Sequence, residues 1–235
     1  MINISHFSDE ILTHILSFLP IKDAFKTNIL SKKWQHLCQS LSVLNIDDEG
    51  VNNLIYWFHF RQFMNAIMLC PCSQCITLKS FHLKCDYDLW DAKAESFSLN
   101  QWIKAAKQRG IKYLNLHMSN VLLIPTTLFC CKTLVVLKLT NMRVRKMYCC
   151  SVDLPSLKTL DLDSVSFHAM ENLMRLILGC PILENLITVY VEARVEHAVG
   201  GYFKPLSKLI KADIHSFKVP LRAICNVQFL HLYEV

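Results

Sequence analysis

The chain has 235 residues, of which 52% are apolar and 19% charged, so it can bury a large core and most of it is not disordered. Leucine fills 35 positions and glycine only five, which disfavours phosphate-cradling loops and favours a helical or leucine-repeat structure. The net charge of +6 comes from scattered basic residues, without the clustered stripe typical of nucleic-acid readers. Composition therefore argues against an enzyme and against a nucleic-acid partner.

The cysteine content predicts a reducing environment. There are 11 cysteines, an odd number, and the first twenty residues carry Asp9 and Glu10 where a signal peptide has a basic start. No stretch of about 18 uncharged apolar residues occurs. We expect free thiols, a cytoplasmic and/or nuclear location and no membrane association.

The first 44 residues predict three short helices. Ser8 is placed to cap the first helix, and Pro20 is expected to end it. Ser31 is placed to cap the third helix, which carries Trp34. The first helix has a wide apolar stripe at helical spacing, formed by Ile11, Leu12, Ile15, Leu16 and Leu19. Three short helices cannot bury all of this surface alone, so they need a partner surface inside or outside the chain.

Residues 54–69 are strongly apolar and aromatic. We interpret them as a linking helix that covers the first repeat of the region that follows. The alternative is a helix on a membrane surface. It is less favoured, because the segment has one Arg and no Lys and lacks a basic face.

From residue 75 onward the sequence repeats the pattern L-x-x-L-x-L, typical of leucine-rich repeats. Each copy predicts a short strand with alternate leucines turned inward, and stacked copies bury them together. Helices are expected at 98–109 and 169–178, ending at Gly110 and Gly179. The copies begin at Leu78, Ile111, Leu134 and Leu157, with weaker ones at Leu183, Leu209 and Val227.

The sequence disfavours both a zinc site and an enzyme active site. Cys70, Cys72 and Cys75 lie near His82 and Cys85, but a single C-x-x-C pair is a weak zinc signal. His82 and Cys85 also have opposite parity on a predicted strand, so they should point to opposite sides. No nucleophile elbow, P-loop or H-E-x-x-H occurs. We expect no metal, no cofactor and no catalytic residues.

The N-terminal segment resembles an F-box of the plant type. The resemblance rests on FSDEILTHILSFLP at 7–20 followed by LSKKW at 30–34. Three later segments resemble the repeats of plant F-box/LRR proteins of the F-box/FBD/LRR kind, namely 102–111, 128–139 and 153–160. The C-terminal FBD region of that family is not found. The expected organisation is an F-box at 1–45, a linking helix or cap at 46–75 and about seven repeats at 76–235, C-terminally incomplete. The expected fold class is α/β, a three-helix F-box followed by a leucine-rich-repeat solenoid.

The resemblance implies a non-enzymatic adaptor of an SCF-type cullin-RING ubiquitin ligase. The F-box would dock on a Skp-type adaptor protein and, through it, on a cullin, while the repeats would hold an unknown protein substrate. Apolar contact would supply the docking affinity. The residues expected to provide it are Phe7, Ile11, Leu12, Ile15, Leu16, Leu19, Pro20, Leu30 and Trp34.

Strand parity predicts where a substrate would lie. If the leucines face inward, the alternate positions face the open side of the sheet. The mixture of charges and aromatic groups there suits a protein partner. The expected substrate-binding residues are Tyr113, Asn115, His117, Lys138, Asp161 and Asp163.

Other interpretations remain open at this point. The chain could be a leucine-rich-repeat scaffold, or a truncated gene product, without a ligase role. The positions facing the open side could be ordinary solvated residues. Because the sequence stops directly after a predicted strand, without a polar cap, we expect the last repeat to fray or to pair with another chain.

Overall fold

The computed structural model describes residues 4–39, 41–70, 76–87, 92–145, 151–194, 206–215 and 224–233. It is a mixed structure of helices and parallel strands. The helices are α1 (Asp9–Ser17), α2 (Ile21–Lys26), α3 (Lys32–Gln39), α4 (Leu54–Met68), α5 (Ala92–Gln108) and α6 (Met170–Leu178). The strands are β1 (Val43–Asp47), β2 (Ser80–Cys85), β3 (Tyr113–Leu123), β4 (Val136–Val144), β5 (Thr159–Asp163), β6 (Ser166–Phe167), β7 (Asn185–Val189), β8 (Glu192–Ala193), β9 (Lys211–His215) and β10 (Phe229–Tyr233).

The strands form one parallel sheet in the order β1-β2-β3-β4-β5-β7-β9-β10, with the short β6 and β8 pairing beside this path. Apart from the short β6 and β8, the strands are therefore arranged in the order in which they occur in the sequence. The first strand, β1, was missed by the sequence analysis, which assigned its residues to the F-box and the linking segment. It pairs with β2 and brings the sheet up against the N-terminal helices.

The leucine pattern forms the core as predicted for most strands. Pleating turns alternate side chains to the same face, and that face is buried in the strands from β1 to β9. β10 differs, because Leu230 and Leu232 are 40% and 42% exposed. This strand pairs with β9 alone in the described sheet. The buried set includes Leu44, Ile46, Phe81, Leu83, Leu114, Leu116, Leu137, Leu139, Leu160, Leu162, Leu186, Ala212 and Ile214.

Of the helices after the N-terminal domain, α4 and α6 follow the predicted positions, whereas α5 begins at Ala92, six residues before the predicted start. The side chain of Asn53 caps α4 by accepting hydrogen bonds from the backbone N–H groups of Ile55 and Tyr56. Trp102 of α5 donates its indole N–H to Asn65 of α4 at 2.8 Å, so the two helices pack together. No helix in the described ranges is long and apolar enough to cross a membrane.

Both predicted serine caps are wrong in detail. Ser8 does stand at the N-cap position of α1, but its side chain makes no cap hydrogen bond to the backbone. Instead, the pKa of Glu10 is lowered by a backbone hydrogen bond and by the Ser8 hydroxyl. The hydroxyl of Ser31, before α3, is buried without a hydrogen-bond partner. The helices thus begin at the expected places without the expected caps.

The two glycines that follow helices serve different purposes. Gly110 has φ +69°, the left-handed conformation predicted for the residue after a helix. Gly179 has φ −74°, so conformational freedom is not its reason. A Cβ there would meet the side chain of Val152 and lie 2.9 Å from its carbonyl oxygen. Gly179 therefore allows the chain before β5 to pass close to the end of α6.

Candidate functional site

The N-terminal helices expose an unusual amount of apolar side chain. We define the N-terminal surface as Phe7, Ile11, Phe18, Leu19, Ile29 and Leu30, with Ile29 89% and Phe18 74% exposed. Helical spacing explains the division in α1. Leu12 and Leu16 are one turn apart and face inward, so Ile11 and the residues beyond Ser17 face solvent.

The structure divides the nine predicted adaptor-binding residues into three groups. Phe7, Ile11, Leu19, Pro20 and Leu30 are exposed, and Ile15 is half-buried. The remaining three, Leu12, Leu16 and Trp34, are at most 2% exposed. They belong to the core that joins α1 to α3, so they are not surface residues in this conformation.

Sequence reasoning missed the two most exposed apolar residues, Phe18 and Ile29. Phe18 follows the last turn of α1, with its ring 4.7 Å from that of His14. Ile29 ends the 3₁₀ turn after α2. The signal that could have found them is their position: both stand directly before a residue that was selected, Leu19 or Leu30, at the end of a helical segment.

A buried thiol connects two of the N-terminal helices to each other, and a surface ion pair connects them to the sheet. Cys38 of α3 is buried and donates its thiol to the carbonyl oxygen of Ala24 in α2 at 2.9 Å. Burial raises the pKa of this thiol, while a hydrogen bond with Thr27 opposes that change. Lys22 of α2 lies 3.2 Å from the carboxylate of Asp47 in β1. The helical domain is therefore packed against the first strand.

Arg109 is the second connection between the N-terminal domain and the sheet. It follows α5 and is 3% exposed. Its Nε donates to the carbonyl oxygen of Ile76 at 3.0 Å and its Nη2 to that of Leu41 at 3.3 Å. Burial lowers the pKa of the guanidinium. One buried side chain thus holds the segment after α3 against the segment before β2.

The open side of the sheet presents three rows of side chains, which we call the sheet face. The strands are in register, so equivalent residues of β1 to β10 line up across it. The first row is Val43, Ser80, Tyr113, Val136, Thr159, Asn185, Lys211 and Phe229. The middle row is Asn45, His82, Asn115, Lys138, Asp161, Ile187, Asp213 and His231. The far row is Asp47, Lys84, His117, Thr140, Asp163, Val189, His215 and Tyr233.

All six predicted substrate-binding residues lie on the sheet face. Tyr113 is 45% exposed and belongs to the first row; the other five are in the middle and far rows. Lys138 is exposed, while the remaining four are partly buried. Parity therefore placed the residues correctly, and their binding role stays a prediction. The analysis missed the part of the face contributed by β1, because that strand was not predicted.

Charged groups on the sheet face form ion pairs, both across neighbouring strands and within one strand. Lys138 lies 3.1 Å from Asp161. Asp213 lies 2.7 Å from Lys211 and 2.8 Å from His231. Burial raises the pKa of Asp213, but hydrogen bonds and charge from Lys211 and His231 outweigh it, so the net direction is down. Paired charges of both signs suit a protein partner better than a phosphate backbone.

His82, which lies in β2 on the middle row of the sheet face, has a lowered pKa. Burial lowers its pKa below 6.5, and the positive charge of Lys138, two strands away, lowers it further. The neutral imidazole is therefore favoured. It can accept a hydrogen bond from a partner as well as donate one.

Four of the seven cysteines that the structure describes are buried in the core. Cys38, Cys131 and Cys180 are buried free thiols, and Cys225 is an exposed one. Burial raises the pKa of Cys180 to about 12, which makes it unreactive.

Of the C-x-x-C segment, Cys72 and Cys75 lie outside the described residues. His82 is on the sheet face and Cys85 is buried, so they point to opposite sides as predicted. The described ranges contain no group of three or more metal-ligating side chains.

Comparison with known proteins adds two matches to protein-family models. Residues 4–45 match the F-box domain, and residues 99–199 match the LRR repeats of the FBD-associated F-box protein At5g56370. Both matches fall on the segments where the corresponding motifs were recognised.

Curated relatives from Arabidopsis thaliana extend the similarity over most of the chain. The FBD-associated F-box protein At4g10400 is 33% identical over 194 residues, 80% of this chain and 45% of that protein. The F-box/LRR-repeat protein At3g60040 is 32% identical over 230 residues, 90% of this chain and 50% of that protein. The chain thus spans about half the length of the curated relatives it matches.

Proposed function

Because the chain belongs to the plant F-box/LRR-repeat proteins, we propose that it is a non-enzymatic substrate-recognition adaptor of an SCF-type cullin-RING ubiquitin ligase. The N-terminal surface would dock on a Skp-type adaptor protein, which connects to a cullin, and the sheet face would hold the target protein. The observation that carries this proposal is the N-terminal surface itself. It exposes six large apolar side chains within the residues that match the F-box domain.

We also propose that the sheet belongs to a right-handed leucine-rich-repeat solenoid. Strands in chain order, all parallel and in register, support it, since crossover connections between parallel strands are almost always right-handed. A cytoplasmic or nuclear location is part of the same proposal. Buried free thiols such as Cys38 and Cys180 are suited to a reducing compartment.

The docking proposal can be tested with paired charge substitutions. Leu19→Asp together with Ile29→Asp places two carboxylates in the N-terminal surface, where burial against a partner would leave them unpaired. Affinity for a plant Skp-type adaptor should fall by about 100-fold or more, the loss expected when interface anchors are removed. Surface plasmon resonance with the purified adaptor would measure it.

A matched control is available on α4. Leu54 and Ile55 are 67% and 69% exposed and apolar, but they lie outside the residues that match the F-box. Leu54→Asp with Ile55→Asp should leave adaptor affinity within about twofold. Leu16 is unsuitable for the test, because it is 1% exposed and its replacement would unfold the domain.

The result that contradicts the proposal is equal adaptor binding by the Leu19/Ile29 variant and the wild-type chain, with both folded. Absence of any adaptor binding by the wild-type chain would also contradict it. The first outcome would mean that the adaptor binds elsewhere on the chain, and the second would favour a leucine-rich-repeat scaffold without a ligase role.

A further inference from the structure

Three neighbouring strands of the sheet have the same left-handed bend at equivalent positions, within β4 and directly after β5 and β7. Thr140, Asp163 and Val189 are paired with one another across β4, β5 and β7. The residue after each has a positive φ: 56° at Asn141, 54° at Ser164 and 48° at Tyr190. The bend turns the chain into a second short run of strand, formed by the end of β4, by β6 and by β8.

This second run has its own inner and outer sides. Val144, Phe167 and Ala193 pair across it and are buried. The residues on either side of them in the sequence therefore face outward, by strand parity. They form two outer rows: Arg143, Ser166 and Glu192, and then Arg145, His168 and Arg194.

The outer rows line a groove of about 690 Å³, which we call the arginine groove. Among the described residues, its lining contains three guanidinium groups and one carboxylate, that of Glu192. Arg143 donates from Nε to the hydroxyl of Ser166 at 3.4 Å. None of Arg143, Arg145 and Arg194 lies within 4.0 Å of a carboxylate in the part of the chain that the structure describes. By contrast, Lys138 and Lys211 on the sheet face are paired with carboxylates.

Guanidinium groups that outnumber the carboxylates around them, and form no ion pair with a described one, repel one another, and an anionic ligand would relieve this repulsion. Arginine is suited to phosphate, because its planar fork donates two parallel hydrogen bonds to the oxygens of one group. Ser166 adds a hydroxyl donor. The tops of three adjacent strands extend over about 10 Å, given about 4.8 Å between neighbours, which is room for one or two phosphate groups.

We propose that the arginine groove binds a phosphorylated serine or threonine segment of a target protein. The proposal rests on the proposed function, since it names the chemistry of the substrate. A peptide is favoured over a nucleic acid because Glu192 interrupts the basic rows and the groove spans only three strands. It is favoured over a free anion because apolar and aromatic residues, including Val191 and Tyr190, also line the groove and can contact neighbouring peptide side chains.

The test uses the 235-residue chain and three degenerate peptide libraries that differ at one fixed position: phosphoserine, serine or glutamate. We expect retention of the phosphoserine library on immobilised protein to exceed that of the serine library by about tenfold or more, as bidentate charge-assisted contacts predict. Arg145→Lys with Arg194→Lys keeps the charge and removes the fork geometry. This variant should lose most of the preference, about fivefold.

Charge and location are controlled separately. Lys132→Gln with Lys208→Gln removes two positive charges elsewhere on exposed positions and should leave the preference unchanged. Glu192→Gln removes the opposing carboxylate and should increase phosphopeptide retention about twofold. Because all these side chains lie on the surface, thermal melting should show unchanged folding in each variant.

Four results would overturn the proposal. They are equal retention of the phosphoserine and serine libraries, an unchanged preference in the Arg145/Arg194 variant, tight binding of inorganic phosphate that peptide residues do not improve, and stronger retention of single-stranded RNA than of phosphopeptide. The Leu19/Ile29 variant should keep phosphopeptide binding, and the Arg145/Arg194 variant should keep adaptor binding. Failure of the groove and failure of the adaptor proposal are therefore distinguishable.

Discussion

Replacing Arg109 should weaken the connection between the N-terminal domain and the sheet and so lower the free energy of unfolding. Its guanidinium is buried and donates to the carbonyl oxygens of Leu41 and Ile76. Arg109→Met keeps the length of the aliphatic stem but removes both hydrogen bonds. The two carbonyl groups would then be left without these donors on either side of the joint.

The magnitude follows from those two contacts. A buried acceptor that loses its partner costs about 1–3 kcal/mol, so two acceptors cost about 2–6 kcal/mol. Part of this loss is offset, because the substitution also removes the unfavourable burial of the guanidinium, which lowers the pKa of Arg109. We therefore expect a loss of about 2–4 kcal/mol in the free energy of unfolding. Arg109→Lys should recover little, because one ammonium cannot reproduce the two-armed geometry.

Urea unfolding followed by circular dichroism measures this loss directly. Lys104→Met is the control, because Lys104 is an exposed cation on α5, about one turn and a half before Arg109. This substitution should change the free energy of unfolding by at most about 0.5 kcal/mol. If Arg109→Met costs no more than the Lys104 control, the two carbonyl groups have other donors, and the guanidinium is not the joint described here.

Three further predictions concern packing, titration and thiol chemistry. Gly179→Ala should destabilise the chain by about 1–3 kcal/mol, because the new Cβ meets Val152; an unchanged melting temperature would show that this contact relaxes freely. The lowered pKa of His82 means that protonation disfavours the folded state, so stability should fall as pH drops from 6.5 through the lower folded value. Lys138→Met removes the nearby positive charge and should raise the His82 pKa in an NMR titration; no change would exclude the charge as a cause. Cys180, buried and with its pKa raised to about 12, should react with a thiol reagent only on unfolding, and rapid labelling of the native chain would contradict its burial.

Most of the sheet could be predicted because its signal is local. In each of β3, β4 and β5 a pair of inward leucines with one residue between them specifies which face is buried. The same parity puts Tyr113 and Lys138 on the open side. The signal fails where it becomes sparse. β1 has the inward pair Leu44 and Ile46 but stands alone, separated from β2 by a whole helix, so nothing in its own sequence shows the sheet it joins.

The division of the N-terminal domain could not be predicted, because it depends on packing between segments distant in the sequence. Ile11 and Leu12 are neighbours on one apolar stripe, yet they are 48% and 0% exposed. Which side turns inward is decided by α3, whose Trp34 occupies the core. The arginine groove could not be predicted for the same reason, since Arg143 and Arg194 come to line one groove only through the pairing of β4 with β6 and of β6 with β8.

The N-terminal helices also stabilise the sheet, so removing them is not a neutral experiment. The hydrophobic core is one cluster that includes Leu12, Trp34 and Leu44. The joint at Arg109 requires the carbonyl group of Leu41. Deletion of residues 1–42 would expose the end of the sheet at β1 and leave the Arg109 Nη2 without its acceptor.

A truncated chain, 43–235, should therefore melt at a lower temperature and exchange the backbone amides of β1 faster than the full chain. The amide of Ser80 in β2 should also exchange faster, because it donates to the carbonyl oxygen of Ser42, which the truncation removes. The amides of β3 should show a smaller increase, because β3 keeps its pairing with both β2 and β4. Hydrogen exchange followed by mass spectrometry resolves β1 from β3. Equal exchange in β1 with and without the helices would mean that the sheet is stable alone. In that case a loss of adaptor binding after the deletion could be assigned to docking. If β1 exchanges faster, as we expect, only point substitutions at exposed positions such as Leu19 and Ile29 can separate docking from folding.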